Sequence, residues 1–162
     1  MGEAERLHRM DPVFQTPPET VKIAAVIPAY KVKAQVLDVI RRLGPEVDAI
    51  YVVDDACPQA SGHHVQQHCS DPRVKVIFNP QNLGVGGATM SGYQAAIDDG
   101  CHILVKVDGD GQMAPELLPQ FVAPILEGVA DYSLDAEVGL RYKVTDWASL
   151  NMKAEKDLVS GA

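Results

Sequence analysis

The chain has 162 residues, of which 46% are hydrophobic and 22% are charged, as in an ordinary globular domain rather than a disordered chain. Its 22 acidic and 14 basic side chains give a formal net charge of −8, which argues against non-specific nucleic-acid binding, because such binding requires clustered lysines and arginines. The three cysteines are irregularly spaced, as expected of reduced thiols. No apolar run approaches the length of a membrane span, about 18 residues, so we expect a cytoplasmic chain without a transmembrane segment.

Strand and helix patterns alternate along most of the chain. Prolines punctuate residues 1–20, which we expect to form an irregular leader. The patterns predict strands at 21–27, 49–53, 74–78 and 103–107 and helices at 33–43, 61–69, from 84 or 86 to 98, and from 115 onward. This alternation predicts a three-layer α/β domain with a mostly parallel sheet over residues 21–132. The pattern loses its rhythm at about residue 133, so the structure of 133–162 stays open.

Each predicted strand is followed by residues that are unusual for a plain connection. In chain order they are Pro28-Ala29-Tyr30, Asp54-Asp55, Asn82 with a glycine-rich stretch, and Asp108-Gly109-Asp110. Ligands of open parallel sheets bind beyond the carboxyl ends of the strands, so these four segments predict one functional site at one edge of the sheet.

The segment that begins at Asp108 carries the sharpest chemical signal. Two carboxylates separated by one glycine can turn toward a common point, and their hard oxygen atoms suit Mg²⁺ or Mn²⁺. A plain turn is the alternative, because Asp and Gly are common turn residues. An EF-hand is excluded, because its register would require Lys106 and Leu117 as calcium ligands.

The glycine-rich stretch from Asn82 to Ala88 could hold a phosphate, with Gly84 and Gly86 exposing backbone N–H groups at the start of a helix. It is not a P-loop, since no Lys-Ser/Thr pair follows the glycines. Two alternatives remain open: a dinucleotide-binding fingerprint, with Asp108 about 20 residues further on, and close helix–strand packing.

Three other features admit a functional and a structural interpretation. Asp54 and Asp55 could bind a base or ribose, or form a capping turn. Tyr30 could stack on a nucleobase, or only pack. A zinc site is conceivable, although surface histidines are the expected alternative because no Cys-x-x-Cys pair is present; its ligands would come from His63, His64, His68, Cys57 and Cys69.

Taken together, the strand-end segments resemble the large inverting glycosyltransferase family with the GT-A fold, which includes dolichyl- and polyprenyl-phosphate mannosyltransferases. The resemblance covers about residues 21–132. The matching segments are Val26-Ile27-Pro28-Ala29-Tyr30, Val52-Val53-Asp54-Asp55, Asn82-x-Gly84-x-Gly86-Gly87-Ala88 with Gly92 and Ala95, Val107-Asp108-Gly109-Asp110-Gly111-Gln112-Met113, and Pro115 to Tyr132.

The resemblance implies a role for each matching position. Pro28, Ala29 and Tyr30 would line a nucleobase pocket, and Asp54 and Asp55 would contact base and ribose. Asp108 and Asp110 would hold Mg²⁺ or Mn²⁺ against the diphosphate of a sugar nucleotide, with Gln112 as a further ligand. The donor would be a UDP- or GDP-hexose, and the acceptor a polyprenyl phosphate or a glycan of the cell envelope.

The chain departs from the family pattern at Lys31 and Val32, where Asn-Glu is common, and again from Ser133 onward. Arg141 is a candidate for a family arginine, about ten residues later than expected, and no catalytic base can be assigned. We therefore expect the nucleotide-sugar-binding part of a glycosyltransferase, truncated in its acceptor half, working in the cytoplasm or at the cytoplasmic face of a membrane. The alternatives are a nucleotide-binding module without transferase activity and an NAD-binding oxidoreductase. Self-association is a further expectation.

Overall fold

The computed structural model describes residues 20–127 and the backbone of two further strands at 134–135 and 140–144. The expected leader therefore lies outside the described residues, apart from residue 20. The elements are, in chain order, β1 (Ile23–Ala29), α1 (Val36–Arg42), β2 (Ala49–Asp54), α2 (Ser61–His68), β3 (Val74–Phe78), α3 (Gly84–Asp98), β4 (Ile103–Lys106), a 3₁₀ turn (Pro115–Leu117), α4 (Leu118–Leu126), β5 (Leu134–Asp135) and β6 (Leu140–Val144).

The strands form a six-stranded sheet in the order β3-β2-β1-β4-β6-β5. The first four strands are parallel, which confirms the predicted α/β class with a mostly parallel sheet. β6 runs antiparallel to β4 and pairs with β5 at the edge of the sheet. The segment after residue 133, which the sequence pattern leaves open, thus adds two strands.

Helices cover both faces of the sheet and make the three predicted layers. On one face, α1, α2 and α4 pack against the sheet around residues such as Ile27, Val52 and Val105. On the other face, α3 packs against Val26 and Leu104. Because both faces are covered, β1, β2 and β4 are apolar and buried at nearly every position, as is typical of buried parallel strands, whereas the edge strand β3 is only partly buried.

α3 lies close to the sheet because small residues face it. A Cβ atom at Gly92 would lie 2.3 Å from Cγ1 of Val26 and 3.1 Å from Cγ2 of Val53. These distances are shorter than ordinary carbon–carbon contacts, so only glycine permits this approach of the helix. None of the described helices combines the length and hydropathy needed to cross a bilayer.

β1 continues two residues beyond its predicted end at residue 27 and includes Pro28 and Ala29. The carbonyl of Val26 accepts a hydrogen bond from Val107 N–H, so the nitrogen of Pro28, two residues further on, also points to the β4 side. The pairing of β4 with β1 ends at Lys106 opposite Val26. Pro28, which has no N–H to donate, therefore lies where the pairing of β1 with β4 stops, and the strand tolerates it there.

Candidate functional site

A pocket of about 340 Å³ opens at the carboxyl ends of the parallel strands. Residues from the ends of β1, β2 and β4 and from the first turns of α3 line it. They are Pro28, Ala29, Tyr30, Lys31, Val32, Asp55, Val85, Ala88, Asp108, Gly109 and Asp110.

The pocket brings together most of the residues predicted from the strand ends. Its lining contains Pro28, Ala29, Tyr30, Asp55, Asp108, Gly109 and Asp110, whereas Asp54, Gly84, Gly86 and Gln112 lie outside it. The functional roles of all eleven residues stay predictions, but the predicted convergence of several strand ends on one site is present in the fold.

Asp55 follows directly after β2 and is 2% exposed. Its Oδ1 atom accepts hydrogen bonds from Asn79 Nδ2 at 2.8 Å and from the backbone N–H of Leu83 at 2.9 Å. These contacts tie the end of β2 to the connection that leads into α3, and they leave Oδ2 without a hydrogen bond from the described residues. A buried carboxylate oxygen beside a pocket can accept a hydrogen bond from a ligand hydroxyl.

Asp54 has a different environment from its neighbour, because successive side chains of a strand point to opposite faces of the sheet. Its Oδ1 accepts the backbone N–H of Cys57 and its Oδ2 that of Gly62, both at 2.7 Å. The carboxylate is 4% exposed and fixes the start of α2. This geometry favours the capping-turn alternative for Asp54, and its predicted contact with base or ribose stays untested.

The Asp108-Gly109-Asp110 turn lies directly against the end of β1. A Cβ atom at Gly109 would lie 3.0 Å from Cγ2 of Val32 and 3.4 Å from the carbonyl oxygen of Pro28. Glycine thus permits the close approach of the turn to β1 that places both carboxylates at the pocket. Asp110 Oδ1 also accepts the backbone N–H of Gln112 at 3.0 Å.

Lys106, the last residue of β4, forms an ion pair with Asp108. Its Nζ atom donates to Asp108 Oδ1, and the lysine side chain is only 17% exposed. The backbone N–H of Asp108 donates to the thioether of Met113 at 2.9 Å. Asp108 is therefore held in position from both its backbone and its side chain, while Oδ2 has no hydrogen bond from residues 20–127.

The donor set at the turn suits a metal ion that arrives with a ligand. Among the described residues, no group of three or more His, Cys, Asp or Glu side chains is placed to hold a metal, and this includes the residues of the zinc alternative. Two carboxylates, Asp108 and Asp110, nevertheless line the pocket together. Mg²⁺ is commonly held by one or two carboxylates plus substrate phosphates, so this pair fits such an ion.

The start of α3 borders the pocket through Val85 and Ala88. Two of the N–H groups that precede the helical hydrogen bonds have local acceptors: Leu83 donates to Asp55, and Gly84 donates to Asn82 Oδ1 at 2.9 Å. The next N–H groups, those of Val85 and Gly86, have no acceptor within the helix. This helix end favours negative charge, as a phosphate-binding role requires.

Tyr30 and Lys31 form the wall of the pocket beyond β1. Tyr30 is 41% exposed, and Lys31 has a φ of 57°, an uncommon value for a residue other than glycine. The backbone N–H of Lys31 donates to the Sγ atom of Cys57 at 3.1 Å. Burial alone would raise the pKa of the Cys57 thiol, but hydrogen bonds from the Ser61 hydroxyl and from Lys31 N–H outweigh it and lower the pKa.

The sequence pattern assigned no role in the site to three residues that the structure places there. Lys106 ends β4 and precedes Asp108 by two positions, the spacing at which extended backbone places two side chains on one side, and this spacing could have revealed the pair. Asn79, which orients Asp55, carries no comparable signal, because β3 separates it from its partner. Lys31 enters the prediction only as a departure from the family pattern.

Sequence comparison relates the chain to known proteins over most of its length. The family model described as "Glycosyl transferase family 2" matches residues 24–153. An undecaprenyl-phosphate mannosyltransferase from Micrococcus luteus is 30% identical over 146 residues, which cover 88% of this chain and 57% of the relative. A polyprenol monophosphomannose synthase from Mycolicibacterium smegmatis is 32% identical over 146 residues, which cover 87% of this chain and 52% of that relative. The chain thus spans about half the length of these relatives.

Comparison of structures supports the same fold. Glucosyl-3-phosphoglycerate synthase from Mycobacterium tuberculosis in complex with UDP matches with a TM-score of 0.55 and 22% identity, covering 69% of this chain and 42% of that one. Its complex with Mn²⁺, UDP-glucose and phosphoglyceric acid matches with a TM-score of 0.52 and 21% identity, covering 67% of this chain and 40% of that one. The fold is that of the GT-A glycosyltransferases, as the resemblance implies. With a family match over residues 24–153, the chain belongs to glycosyl transferase family 2.

Proposed function

We propose that this chain carries the donor-binding part of a hexosyltransferase that uses a nucleoside-diphosphate sugar, UDP- or GDP-linked, together with Mg²⁺ or Mn²⁺. The observation that carries the proposal is the convergence of Asp55, Asp108 and Asp110 on one pocket beside the start of α3. A nucleoside-diphosphate sugar needs acceptors for its hydroxyl groups, a counter-charge for its diphosphate and a wall for its base.

The lining of the pocket matches these needs in position and in chemistry. In the proposed arrangement, the exposed ring of Tyr30 and the end of β1 contact the base. Oδ2 of Asp55, which has no hydrogen bond from the described residues, accepts one from a base or ribose group. The N–H groups at the start of α3 favour the diphosphate. Asp108 and Asp110 would hold the cation against it.

The reaction we propose displaces a nucleoside diphosphate from the anomeric carbon of the sugar. The leaving diphosphate gains negative charge in the transition state, and Asp108 and Asp110 would hold a divalent cation that supplies the compensating charge when bound. The attacking group would be a phosphate oxygen of a polyprenyl phosphate, since both relatives are named for polyprenol-linked mannosyl transfer. A phosphate oxygen is already ionised at neutral pH, so this transfer requires no general base.

This acceptor also bears on where the chain works. A polyprenyl chain is a lipid, so we propose that transfer takes place at the cytoplasmic face of a membrane. A glycan acceptor is the second candidate. It differs in requiring deprotonation of a sugar hydroxyl, and therefore a catalytic base.

The test is calorimetric titration of the purified chain with UDP and with GDP, each in Mn²⁺ and in EDTA. We expect one nucleotide to bind in Mn²⁺ and to bind much more weakly in EDTA. Asp108→Asn and Asp110→Asn should each weaken the metal-dependent binding by about tenfold or more, because each removes a charged ligand. Asp98→Asn, an exposed carboxylate at the far end of α3, is the matched control and should bind like the wild type.

Nucleotide binding that is equal in Mn²⁺ and EDTA, or unchanged in both pocket variants, would contradict the proposed site. Incubation with UDP- or GDP-hexoses then separates the two remaining activities. Donor hydrolysis or transfer that is lost in Asp110→Asn supports the transferase, whereas binding without turnover indicates a nucleotide-binding module.

A further inference from the structure

The ion pair between Lys106 and Asp108 places a cation on a carboxylate that the proposed function assigns to the metal. Lys106 Nζ contacts Asp108 Oδ1, and the side chains of the pair are 17% and 39% exposed. Lys106 is the last residue of β4, between Val26 of β1 and Arg141 of β6 in the sheet register, so its backbone is held on both sides. Asp110, the second carboxylate of the turn, has no ion pair among the described residues.

This pairing lowers the negative charge that a free metal ion would meet. Of the three pocket carboxylates, Asp55 is occupied by Asn79 and Leu83 through Oδ1, and Asp108 is neutralised by Lys106. A divalent ion that binds alone must therefore approach Asp108 against the charge of the lysine. A bound diphosphate changes this balance, since its oxygen atoms attract both cations and give the lysine an anionic alternative to Asp108, which is then left to the metal ion.

We propose that Lys106 is a positioning residue that makes metal binding at Asp108 depend on the nucleotide. The lysine weakens binding of the free ion and permits binding of the ion in the presence of a nucleoside diphosphate, which couples the two ligands positively. The inference rests on the proposed function for the identity of the second ligand, but its first part concerns the metal ion alone.

The experiment measures the dissociation constant of Mn²⁺ by electron paramagnetic resonance, first without nucleotide and then with saturating UDP or GDP. Lys106→Met removes the charge and keeps most of the length of the unbranched side chain. We expect this variant to bind free Mn²⁺ about fivefold more tightly than the wild type or better, the size expected for two charges a few ångströms apart in a partly exposed site. The ratio of the two Mn²⁺ dissociation constants, without and with nucleotide, should fall by a similar factor.

Three controls separate this role from a structural one. Lys106→Arg keeps the charge and should restore the wild-type constants. Lys75→Met removes the lysine of an exposed ion pair with Asp99 and should change neither constant. In an Asp108→Asn background, Lys106→Met should change Mn²⁺ affinity by a smaller factor than in the wild type, because the lysine no longer competes with the ion for the Asp108 carboxylate.

The outcomes distinguish the inference from the proposed function. Unchanged or weaker binding of free Mn²⁺ by a folded Lys106→Met chain, with folding verified by circular dichroism, overturns the inference even if nucleotide binding is as proposed. Tighter binding of free Mn²⁺ with no binding of UDP or GDP supports the effect of Lys106 on the metal and refutes the proposed function. Tighter free-ion binding together with a reduced ratio supports both.

Discussion

Asp54 offers the clearest test of whether the first carboxylate of the Asp54-Asp55 pair is structural. Its two oxygens accept the N–H groups of Cys57 and Gly62 at 2.7 Å, and the residue is 4% exposed. Asp54→Asn keeps the shape of the side chain but offers one oxygen atom to two N–H donors, and its amide N–H₂ group then faces the other donor. One buried N–H therefore loses its acceptor.

The expected loss of stability follows from these two hydrogen bonds. A hydrogen bond to a charged group contributes about 1.5–3 kcal/mol, and the remaining bond becomes a weaker neutral one. We expect the free energy of unfolding to fall by about 3 kcal/mol in Asp54→Asn. Urea denaturation with linear extrapolation measures it, and the m-value should not change. Asp98→Asn, an exposed control, should stay within about 0.5 kcal/mol of the wild type.

Nucleotide titration of the folded Asp54→Asn chain completes the test. Because the carboxylate lies outside the pocket lining, we expect the affinity to change less than about threefold. A loss of stability under about 1 kcal/mol would refute the capping role. If binding is lost while stability is kept, the contact with base or ribose that the family resemblance implies is correct instead.

Two further changes test the packing and the electrostatics of the fold. Gly92→Ala should lower the free energy of unfolding by about 1–3 kcal/mol, because its Cβ would lie 2.3 Å from Cγ1 of Val26. Adding Val26→Ala removes the clashing methyl group, so the double variant should be more stable than the sum of the two single losses predicts. If urea denaturation shows that the two losses simply add, the contact is refuted. The Arg73 guanidinium lowers the pKa of Asp71 by hydrogen bonding, so Asp71 stabilises the native state above its ordinary pKa, about 4, and this contribution is lost as the pH falls through the lower native pKa. As the pH falls from about 5 to 3, the free energy of unfolding of Asp71→Asn should therefore decrease less than that of the wild type. An equal decrease in both proteins, measured by urea denaturation at each pH, would contradict this.

Much of the parallel sheet could be predicted from local pattern. The predicted bounds of β3 at 74–78 agree with the structure, and those of β2 differ by one residue. This agreement has a physical cause: strands that helices cover must be largely apolar, and turn residues interrupt such runs sharply, even at the partly buried edge strand β3. Residues 134–135 and 140–144 carry no such run. The place of β6 depends on pairing with β4, more than 30 residues earlier, and β5 in turn pairs with β6.

The pocket was predictable in outline for a similar reason. Parallel strands point their carboxyl ends to one edge, so residues such as Tyr30, Asp55 and Asp108 were expected to meet there before any contact was known. The different environments of Asp54 and Asp55 were not predicted, although strand alternation sends them to opposite faces. Which face leads to the pocket depends on where α2 and α3 pack.

The sequence by itself determined the α/β class and the succession of the first four strands and helices along the chain. It also determined which edge of the sheet carries the polar residues. Each of these follows from burial and turn chemistry, which act on neighbouring residues and leave a local pattern. Only the tertiary structure decided that Asn79 holds Asp55, that Cys57 holds Lys31 and that β6 pairs beside β4. These contacts join residues that are distant along the chain, and their formation depends on the packing of the whole sheet and its helices rather than on any periodicity that the sequence displays.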